Sequence, residues 1–193
     1  MSKNIEITPD YVKSLKSFTD TFLCNLDDNI YNLNFINFVL KSIHNFSNKK
    51  EEVIIELKID SNNINEEIIK RSKEIKDIYK NPRMIRYHLK KDLLNSDLKL
   101  TLKFKNRSDI GYNLKMIENH YHDNELIGQI FHNFGFCIPN SENARDIIYK
   151  INSQNFKEIS NISGPFEIKT DTFFFANDKL IIHNKTLFYF SQK

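Results

Sequence analysis

Apolar and polar residues alternate with a period of two along most of the chain. Residues 98–104 alternate strictly, and Val53, Ile55, Leu57 and Ile59 also recur at every second position, which places these apolar side chains on one face of a strand. Similar patterns predict further strands at residues 33–43, 84–89, 112–120, 127–138, 147–151, 172–176 and 180–190. The pair Asn177-Asp178 between the last two predicts a tight hairpin turn. Eight or nine strands with few long helices predict an all-β fold, and a β-sandwich is the expected architecture.

The N-terminal segment has a helical pattern instead. Thr8 can cap a helix whose first position is Pro9, and apolar residues then recur at spacings of three and four. These residues are Val12, Leu15, Phe18 and Phe22, and they predict a short helix over residues 8–23. Residues 61–82 are ambiguous, because isoleucines near helical spacing are separated by Glu and Lys, and we expect a flexible insert with some helix. The whole chain, 1–193, is expected to form a single domain.

The composition excludes several classes of protein. The 193 residues are 40% hydrophobic, which is enough for a substantial core, and no apolar run approaches the roughly 18 residues that span a bilayer. The net charge of +3 is small and dispersed, and it does not point to nucleic acid. The N-terminus lacks the charged-then-apolar order of a signal peptide. Cys24 and Cys137 lie far apart, as expected of buried thiols in a reducing compartment, so we expect a cytoplasmic protein.

Few residues suggest catalysis or metal binding. His120 and His122 would share one face of a strand, with Asp123 and Glu125 nearby. Two histidines without a third spaced ligand are weak support for a metal site, and a polar strand face explains them better. Cys137 lies in an apolar strand rather than in the electropositive setting of a nucleophile, and no nucleotide-binding or hydrolase motif occurs. We therefore expect no enzyme activity, no metal and no cofactor.

The aromatic residues are the unusual feature of the composition. Sixteen Phe and eight Tyr with no Trp make up 12% of the chain. Phe and Tyr at strand spacing usually form an ordinary core. However, residues 35–40, 131–136, 173–175 and 187–190 carry large apolar side chains at adjacent or nearly adjacent positions. This is more apolar side-chain volume than the single inner face of a two-layer sandwich needs. The pattern is therefore compatible with a ligand pocket as well as with a filled core.

Four stretches of the chain match one family in the same order. The chain resembles the uncoordinated-119 proteins of the GMP phosphodiesterase delta-subunit superfamily in ITPDYVKSLKSFTDTFLCNLDDNIYNLNFINF, MIENHYHDNELI, FHNFGFCIPNSENA and PFEIKTDTFFFANDKLIIHNK. The resemblance runs from about residue 7 to residue 190. The prenyl-binding delta subunit also resembles FGFCIPNSEN, whereas MIENHYH and DKLIIHNK point to the uncoordinated-119 branch.

The resemblance implies an immunoglobulin-like β-sandwich with a hydrophobic lipid cavity between its sheets. Proteins of this family hold the N-terminal acyl chain, usually myristoyl, of lipidated cargo and keep that cargo soluble. They release it to a target membrane or cilium on binding a GTP-loaded Arf-like small GTPase. The implied partners are N-terminally myristoylated proteins and such a GTPase, with no nucleic acid and no stable membrane insertion. We expect a monomer that is cytoplasmic and associates with a cilium or flagellum. The alternatives are a prenyl-binding solubilising factor of the same fold and a protein-interaction sandwich without a ligand.

The resemblance also implies a lipid-binding site. Tyr87, Glu118 and His120 match positions near the pocket mouth, and Tyr149 matches a retained pocket tyrosine. The Glu118 carboxylate is expected there to accept hydrogen bonds from the first amides of the cargo peptide. The expected apolar lining consists of Phe38, Met84, Leu93, Phe131, Phe136, Phe174 and Phe188. Two of these replace the family's usual Tyr, at residues 174 and 188, and two replace Phe, at residues 84 and 93, so the sequence leaves the preferred acyl length open.

Overall fold

Strands dominate the part of the chain that the structure describes. The computed structural model describes residues 6–44, 50–58, 77–78, 83–150, 159 and 161–191. Its strands are β1 Leu33–His44, β2 Lys50–Lys58, β3 Asp77–Ile78, β4 Met84–Lys90, β5 Asp97–Asn106, β6 Tyr112–His122, β7 Glu125–Cys137, β8 Ser141–Tyr149, β9 Phe166–Ala176 and β10 Lys179–Ser191. One α-helix, α1 Pro9–Ser14, and two 3-10 helices, Leu26–Asp28 and Lys91–Asn95, accompany them. The predicted all-β fold is confirmed.

The strands form two sheets that pack face to face. The four-stranded sheet has the order β2-β1-β5-β8, and the six-stranded sheet has the order β3-β4-β10-β9-β6-β7. All neighbouring strands are antiparallel except β4 and β10, which are parallel. Aromatic rings connect the two layers, since Phe35 lies 4.8 Å from Phe174 and Phe104 lies 5.7 Å from Phe134 between ring centroids. This arrangement is the predicted β-sandwich.

Two tight hairpins set the register of the six-stranded sheet. Asp123 and Asn124 join β6 to β7 with φ values of 46° and 66°, and Asn177 and Asp178 join β9 to β10 with 47° and 66°. Two successive residues with positive φ match the right-handed twist of the strands, and Asn and Asp tolerate this conformation better than most residues. The turn predicted at residues 177 and 178 is therefore confirmed.

The predicted N-terminal helix is wrong in its extent. The Thr8 side chain accepts a hydrogen bond from the amide of Tyr11, as expected of a cap, but α1 ends at Ser14 rather than at residue 23. Beyond it, the backbone N–H of Thr19 donates to Asp171 at 2.9 Å and that of Leu23 donates to His183 at 3.0 Å. Side chains of the sheet thus take the backbone donors that a longer helix would have used internally.

The N-terminal strap, residues 6–28, lies over the outer face of the six-stranded sheet. Its Val12 is fully buried in a second apolar cluster with Ile117, Phe173 and Phe175 of the sheet. This second cluster explains why β6 and β9 carry apolar residues on both faces. In Phe173–Phe175, the first and third rings therefore pack beneath the strap and the middle ring faces the other sheet. Part of the excess of aromatic residues thus forms core rather than cavity lining.

A buried ionic cluster attaches the strap to the sheet. Asp171 is fully buried and accepts hydrogen bonds from both the amide and the hydroxyl of Thr19. The ammonium of Lys185 lies 3.4 Å from Asp171, and His183 Nε2 lies 3.0 Å from it. Because His183 Nδ1 accepts from Leu23, its ring proton is on Nε2 and is donated to Asp171. All members of the cluster therefore have a charge or hydrogen-bond partner.

Several predictions fall partly or wholly outside the described residues. The predicted flexible insert 61–82 lies outside them except for β3, which pairs with β4. The strand ends predicted at residues 59 and 151 also lie outside. Cys24 and Cys137 are buried free thiols, as predicted. Among the described residues, no helix has the length and hydropathy to cross a membrane.

Candidate functional site

A cavity of about 870 Å³ lies between the two sheets. Small-molecule pockets typically have volumes of about 300–1,000 Å³, so this cavity is large for a chain of 193 residues. The four-stranded sheet contributes an apolar wall, because its alternating strands turn every second side chain inward. That wall consists mainly of Phe38, Leu40, Leu57, Leu98, Leu100 and Leu102.

The six-stranded sheet contributes a wall of mixed character. Two neighbouring rows of polar residues cross it from β6 through β9 to β10, and we call them the polar band. The rows are Glu118–Thr172–Asn184 and His120–Thr170–Thr186. Apolar residues flank the band along the strands, with Met116, Phe174 and Ile182 on one side and Tyr87, Ile168 and Phe188 on the other. The wall thus has two apolar surfaces separated by hydrogen-bonding groups.

Glu118 is the acidic group of the cavity. It is 8% exposed, and its two carboxyl oxygens accept hydrogen bonds from the Tyr149 hydroxyl at 2.8 Å and the Thr172 hydroxyl at 3.1 Å. Burial raises the pKa of Glu118, while these two hydrogen bonds act in the opposite direction. Burial also raises the pKa of Tyr149 well above its usual value. The carboxyl group is therefore held in place, and each oxygen has a further lone pair available to a ligand.

His120 lies next to Glu118 in the band and stays neutral. Its Nδ1 lies 2.9 Å from the Thr170 hydroxyl, and the residue is 7% exposed. Burial lowers the pKa of His120 to about 4. The cavity therefore holds a neutral imidazole at physiological pH, which can donate or accept a hydrogen bond without bringing a positive charge to an apolar ligand.

The cavity reaches solvent between β7 and β8, the edge strands of the two sheets. Gly128 and Gln129 of β7 and Lys150 after β8 line it there, and Gln129 and Lys150 are exposed. Gly128 lies directly opposite His120 in the sheet. The polar band therefore begins at this opening and leads into the cavity.

The structure brings together most of the residues expected in the lipid-binding site. Seven of the eleven line the cavity: Phe38, Tyr87, Glu118, His120, Tyr149, Phe174 and Phe188. They come from β1, β4, β6, β8, β9 and β10, so both sheets contribute. Tyr87 stacks on Phe188 with ring centroids 5.7 Å apart, and the two rings form one end of the apolar lining.

Four residues expected in the lining do not line the cavity. Phe131 and Phe136 are 51% and 58% exposed on the outer face of β7, and it is Phe134 that points inward. The reason is the strand period, since Phe131 pairs with Ile117, whose side chain lies beneath the strap. Phe136 covers Gly111, where a Cβ atom would lie 2.2 Å from its ring.

Met84 and Leu93 are the other two. Met84 pairs with Lys185, whose side chain is bound to the strap on the outer face of the sheet. Leu93 lies in the 3-10 helix Lys91–Asn95 and packs against the core from the side. Their difference from the family's usual Phe therefore does not change the described cavity wall directly.

The sequence analysis missed four members of the polar band, namely Thr170, Thr172, Asn184 and Thr186. A signal for them was present. Thr172 precedes Phe174 by two residues and Thr186 precedes Phe188 by two, so a strand period places each on the same face as an aromatic residue already assigned to the lining.

The fold and the cavity together define a class of protein. A β-sandwich with a large, mainly apolar cavity between its sheets, and with hydrogen-bonding groups in its lining, is suited to bind the apolar part of a ligand. Among the described residues, no group of three or more His, Cys, Asp or Glu is arranged to hold a metal ion. The class is a lipid-binding β-sandwich.

Comparison with known proteins identifies the family. The family described as GMP-PDE, delta subunit matches residues 27–190. The chain is 30% identical over 188 residues to Protein unc-119 of Caenorhabditis briggsae, with 96% of this chain and 80% of that protein covered. It is 32% identical over 185 residues to Protein unc-119 homolog B of Danio rerio (93% and 72% covered) and 30% over 186 residues to Protein unc-119 homolog B of Homo sapiens (93% and 70%). The chain belongs to the GMP-PDE delta subunit family, whose members are lipid-binding, chaperone-like proteins.

Proposed function

We propose that this protein is a binding protein rather than an enzyme, and that it binds the N-terminal acyl chain, above all myristoyl, of lipidated proteins. The observation that carries the proposal is the cavity of about 870 Å³ with Glu118 and His120 at the level of its opening. The acyl chain occupies the apolar part of the cavity. The first peptide amides lie at the opening, where Glu118 accepts their hydrogen bonds.

Simple energetics favours this function. A buried methylene contributes about 0.8 kcal/mol, whereas a single myristoyl chain partitions into a bilayer with a constant of only about 10⁴ per molar. A cavity that encloses the whole chain therefore competes with a membrane without an energy source. The cargo remains soluble while it is bound and returns to a membrane when it is released.

Release is assigned to an Arf-like small GTPase in its GTP state. A GTPase that prefers the sandwich with its cavity empty must lower the affinity for cargo by the same factor, because coupling between two sites is reciprocal. Among the described strands, β7 and β8 lie at the edges of their sheets and offer a strand-addition mode for such a partner. Delivery to a cilium or another specialised membrane follows from where the GTP-loaded GTPase is located.

The first test is fluorescence polarisation with three labelled peptides: a myristoylated glycine-starting peptide, its unacylated twin and a farnesylated, carboxymethylated C-terminal peptide. We expect tight binding of the first peptide alone. Preference for the farnesyl peptide would move the protein to the prenyl-binding function of the same fold. Absence of binding to all three would refute lipid binding and favour a protein-interaction sandwich.

The second test concerns release. The preformed complex with the myristoylated peptide is mixed with excess unlabelled peptide, alone or with Arf-like GTPases loaded with a non-hydrolysable GTP analogue or with GDP. We expect faster release with one GTP-loaded GTPase and no acceleration with its GDP form. If no GTPase of this class accelerates release, the assigned release mechanism is wrong while acyl binding stands.

A further inference from the structure

The two ends of the polar band differ in how their hydrogen-bonding groups are used. At the β6 end, Glu118 binds Tyr149 and Thr172, and His120 binds Thr170. These side chains hydrogen-bond to one another. A ligand that lies against them displaces water, but each side chain keeps its hydrogen bond within the protein.

At the β10 end, the side chains of Asn184 and Thr186 lack such hydrogen bonds to the described residues. Both side chains line the cavity and are half-buried. Neither makes a hydrogen bond to any residue in the described parts of the chain. With no partner among the described residues, the amide of Asn184 and the hydroxyl of Thr186 are available to hydrogen-bond with water or with a ligand.

A hydrocarbon chain that crosses β10 must remove that water. It offers no hydrogen bond in return, so each of the two groups would be left buried and unsatisfied. Such a loss lowers affinity by about tenfold per group. Sites with built-in polar partners reject ligands that lack the matching group for the same reason. On either side of the band, by contrast, Phe174 and Phe188 offer apolar surface to the chain.

We propose that Asn184 and Thr186 are specificity-determining residues that limit the length of the acyl chain the cavity accepts. The proposal rests on the acyl-binding function above. A chain anchored near Glu118 gains apolar contact until it reaches β10, about 10 Å away at the usual spacing of two strand intervals. Further methylenes then lie against Asn184 and Thr186 and add nothing to the affinity.

The test uses one glycine-starting peptide carrying a series of saturated acyl chains from octanoyl to stearoyl. For the wild-type protein, we expect affinity to rise by about fourfold per buried methylene along the short chains and then to stop rising. The Thr186→Val variant keeps the shape and removes only the hydroxyl, and Asn184→Leu replaces the amide with an apolar side chain. In each variant we expect the rise to continue to longer chains, with about tenfold higher affinity for the longest ones.

Two controls separate the proposal from general effects. Thr186→Ser keeps the hydroxyl and should show the same plateau as the wild type. Thr101→Val makes the same exchange on the outer face of the four-stranded sheet, away from the cavity lining. Thermal unfolding confirms that each variant folds, and the isosteric Thr186→Val variant decides the outcome if Asn184→Leu does not fold.

The same measurements distinguish failure of this specificity proposal from failure of the proposed acyl-binding function. If the wild-type protein binds acyl peptides but the Thr186→Val and Thr186→Ser variants have the same length dependence, the specificity role is wrong and acyl binding stands. A wild-type affinity that rises through stearoyl without a plateau would also overturn it. If no acyl peptide of the series binds, both proposals are overturned together.

Discussion

His120 and Glu118 are neighbours in the polar band, yet burial acts on them in opposite directions. Burial disfavours the charged form of each group, so it lowers the pKa of His120 to about 4 and raises that of Glu118. The shift of His120 keeps its imidazole neutral, so this residue offers a hydrogen bond without the desolvation cost that a full charge would impose.

The buried imidazole predicts a pH dependence of stability. The unfolded His120 binds a proton near pH 6.5, whereas the folded residue does so only at about pH 4. Between these values the unfolded state holds more protons, so the free energy of unfolding rises with pH and falls by about 3 kcal/mol as the pH drops through this window. Urea denaturation at a series of pH values should show this loss in the wild type and a smaller one in His120→Gln. Equal pH dependence of the two proteins would contradict the assignment.

Glu118 predicts an effect on ligand affinity. If its carboxyl group accepts the first peptide amides, Glu118→Ala should weaken binding of a myristoylated peptide by about tenfold, the loss expected for one hydrogen bond to a buried acceptor. Fluorescence polarisation measures the change. Glu142→Ala, on the exposed side of β8, provides the matched control and should bind normally. Unchanged affinity in Glu118→Ala would show that the peptide does not contact this carboxyl group.

At the scale of elements, the N-terminal strap is held by polar groups as well as by apolar burial. Asp171 accepts four contacts, two from Thr19 and one each from His183 and Lys185. The ammonium of Lys185 also lies 3.9 Å from the centroid of the Phe18 ring, a favourable cation–π distance. Removal of the carboxylate would leave a buried cation without its counter-ion.

The cluster predicts a large loss of stability for Asp171→Ala. Breaking a buried ion pair by removing one partner typically costs about 3–5 kcal/mol, and urea denaturation measures it. Glu142→Ala breaks an exposed pair with Lys105 and should cost less than about 1 kcal/mol. The double change of residue 171 to Ala and Lys185→Met should recover part of the loss. A cost for Asp171→Ala as small as that of the exposed control would mean that the strap is held by its apolar contacts alone.

At the scale of the whole molecule, the buried aromatic residues of the described part of the chain occupy three main locations. Phe104 and Phe134 fill the core between the sheets, Phe173 and Phe175 lie beneath the strap, and Phe38, Phe174 and Phe188 line the cavity. The excess of aromatic residues therefore has two causes. A third apolar layer outside the six-stranded sheet accounts for part of it, and the cavity accounts for another part.

This division predicts which aromatic residues matter for binding. Phe38→Ala and Phe188→Ala remove apolar surface from the cavity and should each weaken binding of a myristoylated peptide by about tenfold or more. Phe131→Ala and Phe136→Ala truncate exposed rings on the outer face of β7 and serve as matched controls. The same polarisation assay compares all four. If the two outer-face variants lose as much affinity as the two lining variants, the ligand does not occupy the cavity.

Local patterns predicted most of the fold, and the family resemblance supplied the eleven expected site residues, of which seven line the cavity. The strands and the hairpin at Asn177-Asp178 followed from alternation and turn chemistry, which act between near neighbours in the chain. Which face of a strand points toward the cavity was harder to predict, as Phe131 and Phe136 illustrate. Both faces of β7 carry phenylalanine, so the pattern alone does not distinguish the outer face from the inner one. The length of the N-terminal helix was also beyond local rules, because Asp171 and His183 lie far along the chain and bind its backbone.

The sequence by itself determined the alternation of the strands, the tight turns and the family resemblance, because each depends on residue types at short or fixed spacing. Only the tertiary structure decided that the two sheets leave a cavity between them, that the polar band crosses one wall, and that the strap covers the opposite face. These features depend on the distance between layers and on which side chains meet across them. Packing over long separations sets both quantities, and the period of two is compatible with a filled sandwich as well as with an open one.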